Sequence, residues 1–368
     1  MSVAVGVEVI PSPPLDLTNG LVDQAEAAGL ESVWVPDHLM AWFAESVWPD
    51  VGNVALMTPT PHVYLDPMPL IASWAARTER IRFGTAVTEP IRRPPGQLAN
   101  TALTLAHITG GRFVLGIGCG EAENCLPYGL PFDKPVSRLE EALVIIRRLW
   151  EDGRVTYEGR FWSLRDAVCR IGAYDGRFPE IWVGAHGPRM LEITGRHGDG
   201  WVPHVPLTAE SYAEKLAVVH RAAEDAGRDP AAIVPSYNTP VCLADDHDIA
   251  HAMLMSEAMR QYALVFDQEF FARLGVDHPL GIAAGVSGYI PEWLSERELR
   301  AALERVPDPM LAHDISLHGT PHDVATQIKG LADAGLRHIS VIDSSPFTDI
   351  SQMPGAIDRV AELARLLA

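Results

Sequence analysis

The sequence predicts a (β/α)8 barrel, a TIM barrel in outline, built as one domain over residues 1–368. Three observations carry this. Short β-branched and apolar runs alternate with amphipathic helical stretches, the pattern of a parallel sheet whose strands are joined by helices. Eight such runs occur in order along the chain. The first runs into Pro11, Ser12, Pro13 and Pro14, which cannot build the early Gly-x-Gly-x-x-Gly turn of an open doubly wound sheet.

In order, strands are predicted at Val3–Val9, Ser32–Val35, Ile81–Val87, Phe113–Gly116, Glu180–Val183, Gly200–Pro203, Val234–Leu243 and His338–Ile342. Helices are predicted at about Asp16–Ala28, Pro69–Arg77, Pro95–Thr109, Val136–Trp150, Pro188–Arg196, Thr208–Ala226 and Pro321–Ala334. Ser137 before Leu139, Glu140 and Glu141, and Thr320 before Pro321, read as helix starts. Residues 40–65, 151–179 and 245–318 exceed the minimal barrel and read as insertions that shape a pocket at its mouth. The first holds Trp42, Trp48, Met57 and Tyr64, and the second Tyr157, Phe161 and Trp162. The third contains a helical stretch, 253–276, with Met253, Met255, Met259, Phe266, Phe270 and Phe271. Packing on the barrel or on a partner subunit explains that stripe more readily than direct substrate contact.

Composition removes several function classes. A net charge of −19 with no basic block argues against nucleic acid as the main partner. Hydrophobic residues at 47% are enough for a full core. Cys119, Cys125, Cys169 and Cys242 form no Cys-x-x-Cys pair, which suits a reducing compartment. The N-terminus lacks a signal-peptide pattern and no apolar run is long enough to span a bilayer, so a cytoplasmic protein is expected.

Four segments carry chemistry. In VWVPDHLMAW at 33–42 a strand ends at Pro36, leaving Asp37 and His38 at the carboxyl end, where a barrel gathers its active-site loops. Histidine exchanges protons near neutral pH, and Trp42 is near enough to wall the same pocket. A surface Asp-His dipeptide would look the same. In LGIGCGEAEN at 115–124, Gly116, Gly118 and Gly120 let a ring or phosphate approach the backbone, followed by Glu121 and Asn124. In VGAHGPRML at 183–191, glycines end a strand and Pro188 opens a helix, an anion seat that Arg189 could strengthen. A plain βα turn is the alternative. In GTAVTEPIRRPP at 84–95, Arg92 and Arg93 either attract an anionic cofactor tail or are a solvated pair.

The 14 histidines lie singly, without His-x-His or His-Glu-x-x-His spacing, so no metal site is expected, although His186 and His204 could approach His38. No Gly-x-Ser-x-Gly elbow supports a serine nucleophile.

Together and in this order, these motifs resemble the luciferase-like flavin superfamily, in its branch using the deazaflavin coenzyme F420. The resemblance runs from the first strand to GTPHDVATQIKGLADAGLRHISVI at 319–342. It is most specific to phthiodiolone ketoreductase-type enzymes in GEAENCLPYGLPFDKPVSRLEEAL at 120–143, PEIWVGAHGPRMLEITGR at 179–196 and GVDHPLG at 275–281. It implies that His38, Glu121 and Trp42 are catalytic. It also implies that Asp37, Ala86, Val87, Gly118, Cys119, Gly120, Asn124, Gly184, Ala185, His186, Gly187, Pro188 and Arg189 hold the cofactor. Ala86–Val87 falls where the family often has a non-prolyl cis peptide, and homodimers are common in it.

One departure matters. The sugar-phosphate dehydrogenases of this branch carry a lysine shortly after the sixth barrel strand, where this chain reads WVPHVPLT at 201–208. An apolar ketone or alcohol therefore suits the chain better than a phosphosugar. The expected activity is hydride transfer between F420 and a carbonyl/alcohol substrate. The alternatives are an FMN-dependent monooxygenase on the same barrel and a non-catalytic cofactor-binding protein.

Overall fold

The computed structural model describes residues 2–368 except 53, 282–284, 286–287, 309–310 and 312–314, and except the side chains of 56 and 57. The expectation for Met57 lies outside the described residues.

The strands are β1 (Ala4–Glu8), β2 (Ser32–Val35), β3 (Arg82–Thr85), β4 (Phe113–Ile117), β5 (Arg154–Glu158), β6 (Ser163–Val168), β7 (Glu180–Val183), β8 (Gly200–Trp201), β9 (Val234–Leu243), β10 (Leu317–Gly319) and β11 (His338–Asp343). β1, β2, β3, β4, β7, β8, β9 and β11 are the eight expected strands, and they pair in parallel in the order β9-β11-β1-β2-β3-β4-β7-β8. β8 bonds back to β9, so the sheet closes into a barrel. β9 is ten residues long, and its far end also pairs with β10, from Leu317 opposite Val241 to Gly319 opposite Leu243.

Small residues facing large ones fill the barrel interior. Trp34 and Trp182 lie with ring centroids 4.9 Å apart. A Cβ on Gly84 would come within 2.4 Å of the Trp34 ring, and one on Gly200 within 2.5 Å of Trp182. Truncating either tryptophan would cost on the order of 3–5 kcal/mol. Beneath them the His338 ring bonds the hydroxyls of Ser236 at 2.7 Å and Ser32 at 3.0 Å. This filled floor leaves the carboxyl ends of the strands as the end that can hold a ligand.

The helices follow the apolar periodicity, with two adjustments. Pro135 rather than Ser137 opens the helix Pro135–Glu151, while Thr320 and Asp323 form the capping box of Pro321–Asp333. A further helix, Ala356–Leu367, follows the last strand, and its Leu367 carbonyl accepts from the Val3 amide at 2.9 Å. Among the described residues no helix is long and apolar enough to cross a membrane.

The insertions divide. Residues 151–179 fold as the antiparallel hairpin β5–β6, pinned where the Glu141 carboxylate accepts the amides of Arg160, Phe161 and Trp162. That hairpin contributes nothing to the mouth cavity, contrary to expectation, because this anchor holds it against the outer helical layer. Segments 40–65 and 245–318 do line the cavity. The single helical stretch expected at 253–276 is broken into His247–Leu254, Glu257–Ala263 and Gln268–Arg273. Ser256 and Asp267 break it by accepting the amides of Met259 and Phe270 as N-caps. Its Met259, Phe266 and Phe270 are buried and also line the cavity.

Candidate active site

A cavity of about 890 Å³ opens at the carboxyl ends of the barrel strands. Asp37, His38 and Trp42 reach it from the loop after β2, Ala86 and Val87 from β3, and Gly118, Cys119, Gly120, Glu121 and Asn124 from β4. Gly184, His186, Gly187 and Pro188 reach it from β7. Ala185 points the other way into the core, and its carbonyl accepts from Trp201 Nε1 at 3.0 Å.

Asn124 organises the proton-carrying groups. Its Oδ1 accepts the backbone amides of Leu39 at 2.7 Å and Met40 at 3.3 Å, which fixes the amide's orientation. Its Nδ2 therefore faces His38 Nδ1 at 3.1 Å, Glu123 Oε1 at 3.1 Å and Glu121 Oε2 at 3.4 Å. A ring nitrogen that accepts from this amide leaves the proton of the neutral imidazole on Nε2. Glu121 Oε2 lies 3.6 Å from His38 Nδ1. Burial, then the neighbouring Glu121, push the Glu123 carboxyl well above the usual range. Glu123 was not anticipated. His38, Glu121 and Glu123 lie close enough together to hold a cation, a grouping the sequence spacing did not reveal. The locked Asn124 amide already points its donor at all three.

Asp37 is buried and fully engaged. Its carboxylate accepts from Thr88 Oγ1 at 2.6 Å, Arg93 Nε at 2.7 Å and Arg92 Nη1 at 3.3 Å. Although burial acts to raise it, these partners hold the carboxyl below its ordinary range. Arg92 also pairs with Glu89, and Arg93 with Asp66. The basic pair therefore neutralises carboxylates rather than waiting for an anionic tail.

A second polar string crosses the mouth. Asn238 Nδ2 donates to Glu8 Oε2 at 2.9 Å, so its Oδ1 accepts from His204 Nδ1 at 2.7 Å. His204 Nε2 then accepts from the Tyr262 hydroxyl at 2.9 Å. Burial, opposed by the Asn238 bond, pushes the Glu8 carboxyl up to about 8. Burial pushes the His204 imidazole down. Trp42 stands between the two arrays, its ring centroids 5.4 Å from His38 and 5.4 Å from His204. Trp42 Nε1 and Glu123 Oε2 are both buried, with the Trp42 donor directed at the Glu123 carboxyl, where it acts to lower that group against the effect of burial.

The glycines of the seat have separate reasons. A Cβ on Gly118 would meet Val87 at 2.8 Å, and Gly120 has φ +89°. A Cβ on Gly187 would meet nothing within 4 Å, so the chain there is open to a ligand. Gly187 precedes the helix Pro188–His197 and no side chain caps it, leaving first-turn amides available. Arg189 turns away from this seat to Ser137 Oγ and Glu140 Oε2, both at 2.9 Å. Lys215 is there instead, donating to the His186 carbonyl at 3.1 Å and lining the cavity. Burial pushes the His186 imidazole down to about 3. The Ala86–Val87 peptide is cis, as the resemblance implied.

The chain matches known proteins over most of its length. It is 38% identical over 327 residues to the phthiodiolone/phenolphthiodiolone dimycocerosates ketoreductase of Mycobacterium kansasii, covering 87% of this chain and 89% of that one. It is 30% identical over 326 residues to the F420-dependent glucose-6-phosphate dehydrogenase of Kineococcus radiotolerans, covering 86% and 83%. Its fold overlays that of an F420-dependent secondary alcohol dehydrogenase in complex with an F420-acetone adduct, with TM-score 0.78, 20% identity and full coverage of both chains. Residues 3–338 match the family model described as luciferase-like monooxygenase, and the chain belongs to that family.

Proposed function

We propose that this chain is an F420-dependent oxidoreductase interconverting a carbonyl and an alcohol. The observation that carries the proposal is the His38–Asn124–Glu121 array beside Trp42, set at the rim of an open glycine-lined seat. The names of the M. kansasii and K. radiotolerans relatives support it.

The residues present suit a deazaflavin. Ala86, Val87, Gly118 and Gly184 would take the flat ring, while the amides after Gly187 and the Lys215 ammonium would take an anionic tail. Bound there, the deazaflavin supplies or accepts the hydride. The protein's task is to orient the substrate and manage one proton. During reduction His38 passes its Nε2 proton to the substrate oxygen as Nδ1 takes one from the protonated Glu121 carboxyl 3.6 Å away, so the ring stays neutral, and oxidation reverses both transfers. Direct transfer between Glu121 and the substrate oxygen is the competing route. Phe43, Trp48, Met259 and Phe266 make the substrate side of the cavity apolar, which favours an apolar ketone or alcohol.

Equilibrium titration with oxidised and reduced F420, and in parallel with FMN, tests this reading. Deazaflavin binding in the micromolar range or tighter is expected. Micromolar FMN binding without deazaflavin binding would favour the monooxygenase alternative instead.

A further inference from the structure

We propose that His247, His251 and His318 form a divalent transition-metal site, suited to zinc or nickel, on the outer face of the barrel. The helix His247–Leu254 places His247 and His251 one turn apart on one face. Their rings lie parallel within 10°, with centroids 6.5 Å apart. His318, on β10, packs against both, its centroid 5.6 Å from His247 and 5.5 Å from His251. With metal–nitrogen bonds of about 2.0–2.1 Å, three imidazoles around a tetrahedral ion have centroids roughly 5 Å apart. Side-chain rotation has to turn the three rings towards one point, because in this structure their ring nitrogens do not all lie within 4.8 Å of one another.

Asp323 supplies the second requirement of such a site. Its Oδ2 lies 3.3 Å from His247 Nδ1, so that nitrogen carries the proton and Nε2 is left as the ligand. The carboxylate is itself held by the Thr320 amide at 2.9 Å and hydroxyl at 2.8 Å. The His247 side chain is 56% exposed, which leaves an entry path and room for water as a fourth ligand. The ion would have a mechanical effect. His247 and His251 open the insertion that carries Met259, Tyr262 and Phe266 to the cavity, and His318 closes it. One metal therefore clips a segment of roughly 70 residues at its base, where loop closure gives the most stabilisation.

The test uses tag-free full-length protein, stripped with chelator and titrated with zinc chloride by calorimetry. Bound metal is counted after gel filtration, and thermal unfolding is measured with and without zinc. One zinc per chain and a rise in Tm are expected. His251→Ala, and separately His318→Gln, lose about tenfold or more in zinc affinity together with the Tm rise. Both variants keep wild-type Tm in chelator, which shows they are folded. Glu121→Gln, which alters the acidic cluster in the cavity, leaves zinc binding as in wild type. No zinc binding, undiminished affinity in both histidine variants, or a loss seen with Glu121→Gln overturns the proposal.

Discussion

Replacing Glu8 by Gln should make the protein more resistant to denaturant at alkaline pH and nearly indifferent at acid pH. Burial raises the Glu8 carboxyl from 4.5 to about 8, against the opposing bond from Asn238. Between those values the folded chain holds a proton that the unfolded chain has released. Stability therefore falls as pH rises from about 4.5 towards 8. At about 1.4 kcal/mol per unit, the penalty grows by about 3 kcal/mol between pH 5.5 and pH 8.0. That figure is a ceiling, because the carboxyl lines the cavity and water entering it screens the charge. Glutamine keeps an acceptor for Asn238 Nδ2 and never ionises, so it escapes the penalty. Guanidinium unfolding of both proteins at the two pH values reads the difference directly. An advantage for Glu8→Gln of the same size at both pH values would refute the reasoning, since it would place Glu8 in the ordinary carboxylate range.

His38→Ala should lower turnover about 10²–10⁴-fold with cofactor affinity within a few-fold, and Glu121→Gln should lower it less, both measured by single-turnover kinetics. The reverse order would make Glu121 the proton carrier. Gly187→Ala adds a Cβ in open space at the anion seat, so cofactor Kd should rise about tenfold with Tm unchanged; unchanged affinity would move the seat elsewhere. Arg93→Gln strips Asp37 of its two-point partner and should cost about 1.5–3 kcal/mol in denaturant unfolding, because the buried carboxylate loses two charge-assisted bonds while Arg92 remains as its counter-charge.

The barrel was legible because its strands are buried and read as nearly continuous apolar runs; β2 and β4 are buried at every position. The hairpin β5–β6 was not, since most of its residues face solvent and alternate weakly. Asp37, His38, Glu121 and Asn124 stood out because they follow strands directly. Glu8 also ends a strand, but a lone acid before a proline-rich turn carries no pattern. Its meaning depends on Asn238, 230 positions away. His204 and Tyr262 meet only because the insertion folds back over the mouth. The destination of Arg92 and Arg93 was equally hidden, for nothing local shows that Asp37 lies between them. Arg189 misled for the same reason, its partner Glu140 being 49 positions back on another helix. Lys215 escaped notice because its cavity position depends on how the helix Ala209–Asp225 is set on the barrel.

Anaerobic mixing of the protein and reduced F420 with a panel of apolar ketones tests the proposed chemistry most directly. Reoxidation of the deazaflavin with one equivalent of alcohol formed per cofactor, without dioxygen and slowed in His38→Ala, is the predicted result. Oxidation of the cofactor only when oxygen is admitted, with no alcohol formed from any ketone, would contradict it.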